Sequence, residues 1–315
     1  MKNFKLSVSF IFLLVLLTAC SMGKDASNEA SEGLNSKEEQ TVELSIGLMP
    51  AVDAAPILLA EKEGYYDSLG LDLNATIYTN GNNRQSALQT NELDGAMTDL
   101  IAFINTQQNG FETKIVTSTD GSFAFLVDDK FEKEGKKQLG IMEVSVSNYL
   151  ADNYISSNYD VKKVYIPEIP ARLEMLKTGQ LDIGFFPEPI ASKGELAGLT
   201  KLVSVTDDDG YMPEAMVFTP QAIKEKREAI KRFITGYNQA VDAINQDDTL
   251  AREVLIETIN LDPEIQDFIT LPTYHHARVP NNAYINKIIN WIENAQGIKI
   301  DLEYEDMIAE EFTNS

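Results

Sequence analysis

Residues 88–96, LQTNELDGA, return as residues 176–184, LKTGQLDIG, with Leu, Thr, Leu and Asp each displaced by 88 positions. Each copy reads as a helix end, a tight turn and a short buried strand, in which Asp94 and Asp182 are turn residues. A looser parallel sets SIGLMPAVDAAP (45–56) beside LGIMEVSVSNYL (139–150), both a strand, a loop and a helix start. Chance similarity between common βα units competes with duplication, more strongly for the loose pair. Together the parallels indicate two lobes on one plan, the first beginning near Thr41 and the second near Lys136.

The chain around the repeat alternates short apolar runs with helical patterns, which predicts α/β units and mostly parallel sheets. Val42 to Leu48 and Leu71 to Tyr78 read as strands, and Pro56 suits the first turn of the helix between them. Thr219-Pro220 reads as an N-cap with proline at the first helical position. Behind it Ile223, Ile230, Phe233, Ile234, Tyr237, Val241 and Ile244 recur at helical spacing, predicting one long amphipathic helix. Mainly helical patterns follow, broken at Pro263, Pro272, Pro280 and Gly297.

The N-terminus has a separate logic. Lys2 and Lys5 precede an uncharged apolar run from Leu6 to Leu17, then Thr18 and Ala19, the order of a secretory leader. The run is shorter than the roughly 20 residues a spanning helix needs. Leu17-Thr18-Ala19-Cys20 resembles the lipobox of bacterial lipoproteins, which makes residues 1–19 a signal peptide and Cys20 the lipidated first residue. A leader cleaved without modification is the alternative. Residues 20–41, rich in Ser, Glu, Asn and Lys, cannot bury enough surface to fold and read as a flexible tether.

Cys20 is the only cysteine, so no thiol remains for a disulfide, a thiolate metal site or a nucleophile. The formal charge of −23, two units more negative without Lys2 and Lys5, repels phosphate backbones and argues against nucleic acid. It also argues against electrostatic adhesion to anionic lipid, leaving the acyl chain as the anchor.

In open α/β sheets ligands bind beyond the carboxyl ends of strands, and clefts between domains favour them. That rule selects residues 49–54, 98–99, 143–147 and 186–188, which line one cleft if the lobes face each other.

AAPILLAEKEGYYDSLGLDL, LQTNELDGAM, LKTGQLDIGFFPEPIASK and WIENAQGIKIDLEYEDMI together resemble the solute-binding proteins of bacterial ABC importers, within the sulfonate, nitrate, taurine and thiamine-pyrimidine group. The resemblance implies a two-lobed periplasmic-binding-protein-like α/β fold, each lobe a mostly parallel sheet flanked by helices, with two crossover strands. It places lobe 1 at residues 42–127 and 206–315 and lobe 2 at 128–205. It also implies a monomer that closes on one small molecule, uses no cofactor, and delivers its ligand to an ABC permease and, through it, an ATPase. A lipid-anchored receptor on the outer face of a Gram-positive cell membrane fits the lipobox.

For the cleft, the four stretches hold Asp53, Asp99, Glu143 and Glu188 and no lysine or arginine; Arg84 is the only nearby cation. An oxyanion receptor needs cations or free backbone donors, so a ligand offering N–H donors or positive charge, such as an aminopyrimidine or amine, suits these carboxylates better. Thr98 belongs to the same loops. Ser122, Ser145 and Ser147 add hydroxyls, and Phe186 and Tyr211 are candidates to stack on a flat ring. Competing readings stay open: Asp53, Ser145 and Glu188 as helix caps, one of Phe185 and Phe186 as core, Tyr211 as a surface loop residue. His275-His276 lacks the spacing of a metal site, because adjacent side chains diverge. The rival class is an enzyme like the fungal thiamine-pyrimidine synthases, whose cysteine-rich segment and active-site histidine find no match here. A purely structural surface lipoprotein is the third reading.

Overall fold

The computed structural model of this protein describes residues 41–313. The expected leader, Cys20 and the expected tether up to residue 40 lie outside them.

Among the described residues ten strands make two sheets: β1 (Val42–Leu48), β2 (Leu71–Ile77), β3 (Gly95–Asp99), β4 (Lys114–Ser118), β5 (Phe123–Val127), β6 (Lys137–Ile141), β7 (Val161–Tyr165), β8 (Ile183–Pro187), β9 (Thr200–Val205) and β10 (Glu214–Phe218). The first sheet is ordered β2-β1-β3-β10-β4 and the second β7-β6-β8-β5-β9. Both obey one pattern. β1, β2 and β3 are parallel, as are β6, β7 and β8, and in each sheet the fourth-listed strand runs antiparallel between its neighbours. That strand is the one supplied by the other half of the chain.

β5 therefore belongs to the second sheet, hydrogen-bonded between β8 and β9. The sequence reading leaves it in lobe 1 as far as Val127. The chain instead crosses at residues 119–122, and all of FAFLV is buried because both faces of its sheet are covered. It returns over residues 206–213, where Asp208 is held by the hydroxyls of Tyr149 (2.7 Å), Tyr154 (3.3 Å) and Tyr284 (3.1 Å) and by Lys287 at 3.0 Å.

The tight repeat is one structural unit used twice. Asp94 N donates to Ser45 O at 2.8 Å and Asp94 Oδ2 accepts Ser45 N at 2.8 Å; Asp182 does the same with Gln138 at 3.0 and 2.6 Å. These aspartates fasten the start of β3 or β8 to its neighbour, more than a turn alone requires. Leu88, Leu93, Leu176 and Leu181 are buried under both turns.

The long amphipathic pattern divides into helices Pro220–Glu225 and Arg227–Gln246. Thr219 caps the first through Ala222 N at 3.1 Å. Lys226 leaves the helical region at φ −116°, and its amine pairs with Asp94 at 2.7 Å, tying the break to the first repeat. The second helix buries Phe233, Tyr237 and Val241 against one face of the first sheet, while a shared core including Ile104, Phe125, Leu139 and Ile288 runs through both lobes.

Candidate functional site

The parallel strands of the two sheets aim their carboxyl ends at one interlobe cavity of about 100 Å³. The first lobe contributes Asp53, Arg84, Met97, Asp99 and Glu214; the second contributes Phe123, Ser145, Ser147, Arg172 and Phe185. The lobes also touch directly: Val52 N donates to Glu188 O at 3.0 Å, Ser192 Oγ to Phe268 O at 2.7 Å, and Asn80 Nδ2 to Glu168 Oε1.

The first wall is acidic and largely buried. Asp53, 3% exposed in the turn after β1, accepts a hydrogen bond from Thr119 Oγ1 at 3.2 Å. Burial pushes its carboxyl up to about 7 against the opposing effects of Thr119 and Arg84. Asp99 ends β3 and caps helix Leu100–Gln108 through Ala102 N at 2.8 Å. It is raised to about 6, again by burial, with Arg84 and backbone N–H groups, including Val146 of the opposite lobe, acting the other way. Glu214 lies opposite Asp99 in register and is also held well above the ordinary carboxylate range, by burial first and then by both aspartates. Arg84 stands among the three with Nη2 on Thr98 Oγ1 at 3.4 Å. This set suits a ligand that donates hydrogen bonds or carries positive charge, because such a ligand favours the ionised carboxylates.

On the second wall, Ser145 caps helix Val146–Tyr154 by accepting Ser147 N at 3.1 Å, and the two hydroxyls share a 2.6 Å hydrogen bond. Ser147 Oγ also accepts Met142 N at 2.9 Å. The cap reading of Ser145 therefore holds, and both serines shape the wall. Phe123 and Phe185 stack at 5.1 Å and give it an apolar floor.

Of the residues expected in the site, Asp53, Arg84, Asp99, Ser145 and Ser147 line the cavity, and Thr98 supports Arg84 from behind. The others do not. Phe186 turns into the second lobe's core, fully buried, since strand alternation sends its neighbour Phe185 to the cavity. Glu188 is consumed by an ion pair with Lys201 at 2.7 Å and by Ser192, whose N and Oγ donate at 3.1 and 2.6 Å. Tyr211 packs on Tyr284 and under Arg278 at the second crossing. Ser122 is buried at the first crossing, its carbonyl accepting Glu188 N at 2.9 Å. Glu143 is exposed at the rim.

Arg172, Glu214 and Phe123 escaped the sequence reading. Glu214 and Phe123 open the antiparallel strands β10 and β5, so the amino ends of these strands reach the cleft, and a rule about carboxyl ends passes over them. Arg172 had a signal: it is Arg84 displaced by the same 88 positions.

His275 Nδ1 lies 3.2 Å from Asp120 and His276 Nε2 lies 2.7 Å from Asp242, both outside the cavity. Among the described residues no group of three or more His, Cys, Asp or Glu is arranged to hold a metal ion.

Residues 37–140 match the model of the NMT1-like family. No curated protein matches the chain. Among solved structures, the ligand-binding component of an ABC-type import system from Staphylococcus aureus, with zinc bound, superimposes with a TM-score of 0.73 at 15% identity, covering 86% of this chain and 98% of that one. The alkanesulfonate-binding protein SsuA from Xanthomonas axonopodis pv. citri, bound to MOPS, gives 0.66 at 17% identity over 82% and 94%. A desulfurization enzyme, DSZB, gives 0.64 at 11% over 86% and 97%. At such identities the likeness establishes the fold, a two-lobed periplasmic-binding-protein-like architecture, in agreement with the resemblance read from the sequence.

Proposed function

We propose that the chain is the extracytoplasmic substrate-binding lipoprotein of an ABC importer, tethered through Cys20, and that it captures a small nitrogen-containing organic molecule. A pyrimidine of the thiamine-precursor kind is the leading ligand class. The observation that carries the ligand reading is the trio Asp53, Asp99 and Glu214 on one cavity wall, held above their ordinary protonation range by burial. N–H donors or positive charge from a ligand relieve that cost. The apolar floor of Phe123 and Phe185 suits the face of a ring. The importer reading draws support from the two-lobed fold and from the family match over residues 37–140.

Closure of the lobes on ligand produces the form that docks on the permease, and contacts that differ between open and closed forms drive it. No turnover is expected. The only cysteine lies at position 20, and both histidines sit away from the cavity. An alkanesulfonate, taurine or nitrate receptor of the same importer class is the second reading, favoured by the likeness to the alkanesulfonate-binding protein.

Native mass spectrometry of the purified body, followed by thermal shifts with pyrimidines, amines, sulfonates and nitrate, tests the proposal. A ligand at 100 times its dissociation constant adds about 2.7 kcal/mol. Stabilisation by sulfonates or nitrate alone overturns the ligand class, and steady conversion of any of these compounds overturns the receptor reading.

A further inference from the structure

We propose that Arg172 seats an anionic group carried by the ligand, so that the bound molecule is bipolar, with its anionic end on the second lobe and its cationic or N–H end on the carboxyl groups of the first. The inference rests on the receptor reading above and narrows the substrate class.

Arg84 and Arg172 are one framework position used twice. Each follows its helix start by the same interval, and each lays its side chain over a glycine of the lobe's first parallel strand, β1 or β6. A Cβ on Gly47 would lie 2.9 Å from Arg84 Cγ, and one on Gly140 would lie 3.1 Å from Arg172 Cγ. Their surroundings then diverge. Arg84 stands among Asp99, Glu214 and Asp53. Arg172, 1% exposed on the same cavity, has no carboxylate partner among the described residues. In a chain with 49 acidic and 26 basic residues, a buried guanidinium that pairs with no carboxylate among the described residues is an exception.

What Arg172 does have fixes its aim. Nε donates to Phe185 O at 2.9 Å and Nη1 to Ile166 O at 2.6 Å, and the guanidinium lies 5.4 Å from the Phe186 ring centroid. A strut that joins helix Ile169–Lys177 to β8 and to the segment just before the helix needs those two bonds. It does not need the side chain to reach the cavity, and Nη2 remains without a hydrogen-bond partner among the described residues. Burial alone pushes the guanidinium down to about 10, so it stays charged at neutral pH. A ligand carboxylate, sulfonate or phosphate would supply the missing counter-charge through a charge-assisted bond. The first lobe offers no equal seat, because an anion at Arg84 meets three carboxyl groups. Division of the two ends between lobes also makes closure depend on both.

The test uses matched probes on the full chain: ω-amino acids of increasing length and 4-aminopyrimidine-5-carboxylate, each beside its carboxamide, measured by calorimetry with ligand-free melting in parallel. In the wild type the best carboxylate probe is expected to bind at least tenfold more tightly than its carboxamide. Arg172→Gln is expected to abolish that preference and Arg172→Lys to retain part of it. Equal binding of carboxylate and carboxamide by the wild type overturns the inference, as does a preference unchanged in Arg172→Gln or a co-purified ligand without an anionic group. Each of those results leaves the receptor reading standing. A protein that binds no probe of either kind and carries no molecule after purification fails the receptor reading, and this inference with it. If Arg172→Gln does not fold, the wild-type comparison decides.

Discussion

Asn80 and Glu168 stand at the same position of the duplicated unit, 88 residues apart, and they are hydrogen-bonded to each other across the cleft. Each is the N-cap of its helix, Gly81–Gln89 or Ile169–Lys177, so the lobes meet where their equivalent helices begin. Glu168→Ala removes this contact and leaves the Asn80 cap on Asn82 N intact. The bond is exposed, so its loss should weaken closure by only about 1 kcal/mol, roughly a fivefold loss of affinity. Small-angle scattering and calorimetry measure the two effects, and an unchanged radius with unchanged affinity removes the bond from the closure mechanism.

Asp53 and Asp99 make pH a probe of the first wall. Their carboxyls are raised from 3.8 to about 7 and about 6, so between pH 4 and 7 the folded chain holds protons that the unfolded chain has released. Their contribution to stability is therefore full below pH 3.8, falls as pH rises, and levels off above about 7. Melting of wild type against Asp53→Asn isolates it, and the difference should grow with pH over this window. A cationic ligand prefers the ionised carboxylates, so its affinity should rise by up to about tenfold per pH unit below 7, with proton release. Tighter binding at pH 5 than at pH 8 contradicts the assignment.

Glu188 serves stability. With Oε1 on the half-buried Lys201 and Oε2 on the buried Ser192, Glu188→Ala removes a buried carboxylate and leaves Lys201 with Glu195, Phe268 O and Thr270 Oγ1. Loss of the buried carboxylate, which leaves the Ser192 N–H and hydroxyl without this acceptor, costs about 1–3 kcal/mol. Denaturant unfolding should show that loss while affinity stays within about twofold. A large affinity defect in a stable Glu188→Ala protein returns the residue to the site.

Gly47 and Gly140 hold the room the two arginines occupy. A Cβ at Gly140 falls 2.5 Å from Leu181 Cδ1, and one at Gly47 falls 2.7 Å from Leu93 Cδ1. Gly47→Ala and Gly140→Ala should each destabilise the body by about 1–3 kcal/mol through overpacking. Each should also shift one arginine, with Gly140→Ala acting on anionic probes and Gly47→Ala sparing them. Equal effects of both on those probes contradict the division of labour.

Cys20 lies outside the described residues, and the proposed anchor rests on the sequence pattern alone. Cys20→Ala should leave an unprocessed precursor or release the protein into the medium, as fractionation and intact mass report, while the body still binds. Normal membrane retention of the variant argues for a different anchor.

The framework was legible wherever one residue type answers one local demand. Thr219, Pro56 and the Leu-Thr-Leu-Asp spacing each specify a cap, a first turn or a strand start, and the structure has all three where the sequence puts them. Asp53 and Asp99 were legible because parallel strands deliver their loops to the cleft. Glu214 and Phe123 were not, since nothing local marks β10 and β5 as antiparallel insertions. Phe185 and Phe186 could be divided between core and cavity only in principle. Glu188 was open between ligand contact and helix cap; its Oε2 accepts Ser192 N in the first turn of helix Ile190–Leu196, while its ion pair with Lys201, 13 positions away on a different strand, had no local signal.

The inserted strands also set the order of assembly during synthesis. β10 lies between β3 and β4, so a nascent chain that has completed β4 holds two strands with no hydrogen-bonded neighbour between them. The first sheet stays open through the whole of the second lobe's translation and closes only when residue 218 has left the ribosome. The second lobe, which receives β5 before its own strands β6 to β9 are made, has every strand in hand by residue 205. The lobe encoded first is thus the lobe finished last, and a chain truncated between those two points would present one complete sheet joined to one that is still gapped.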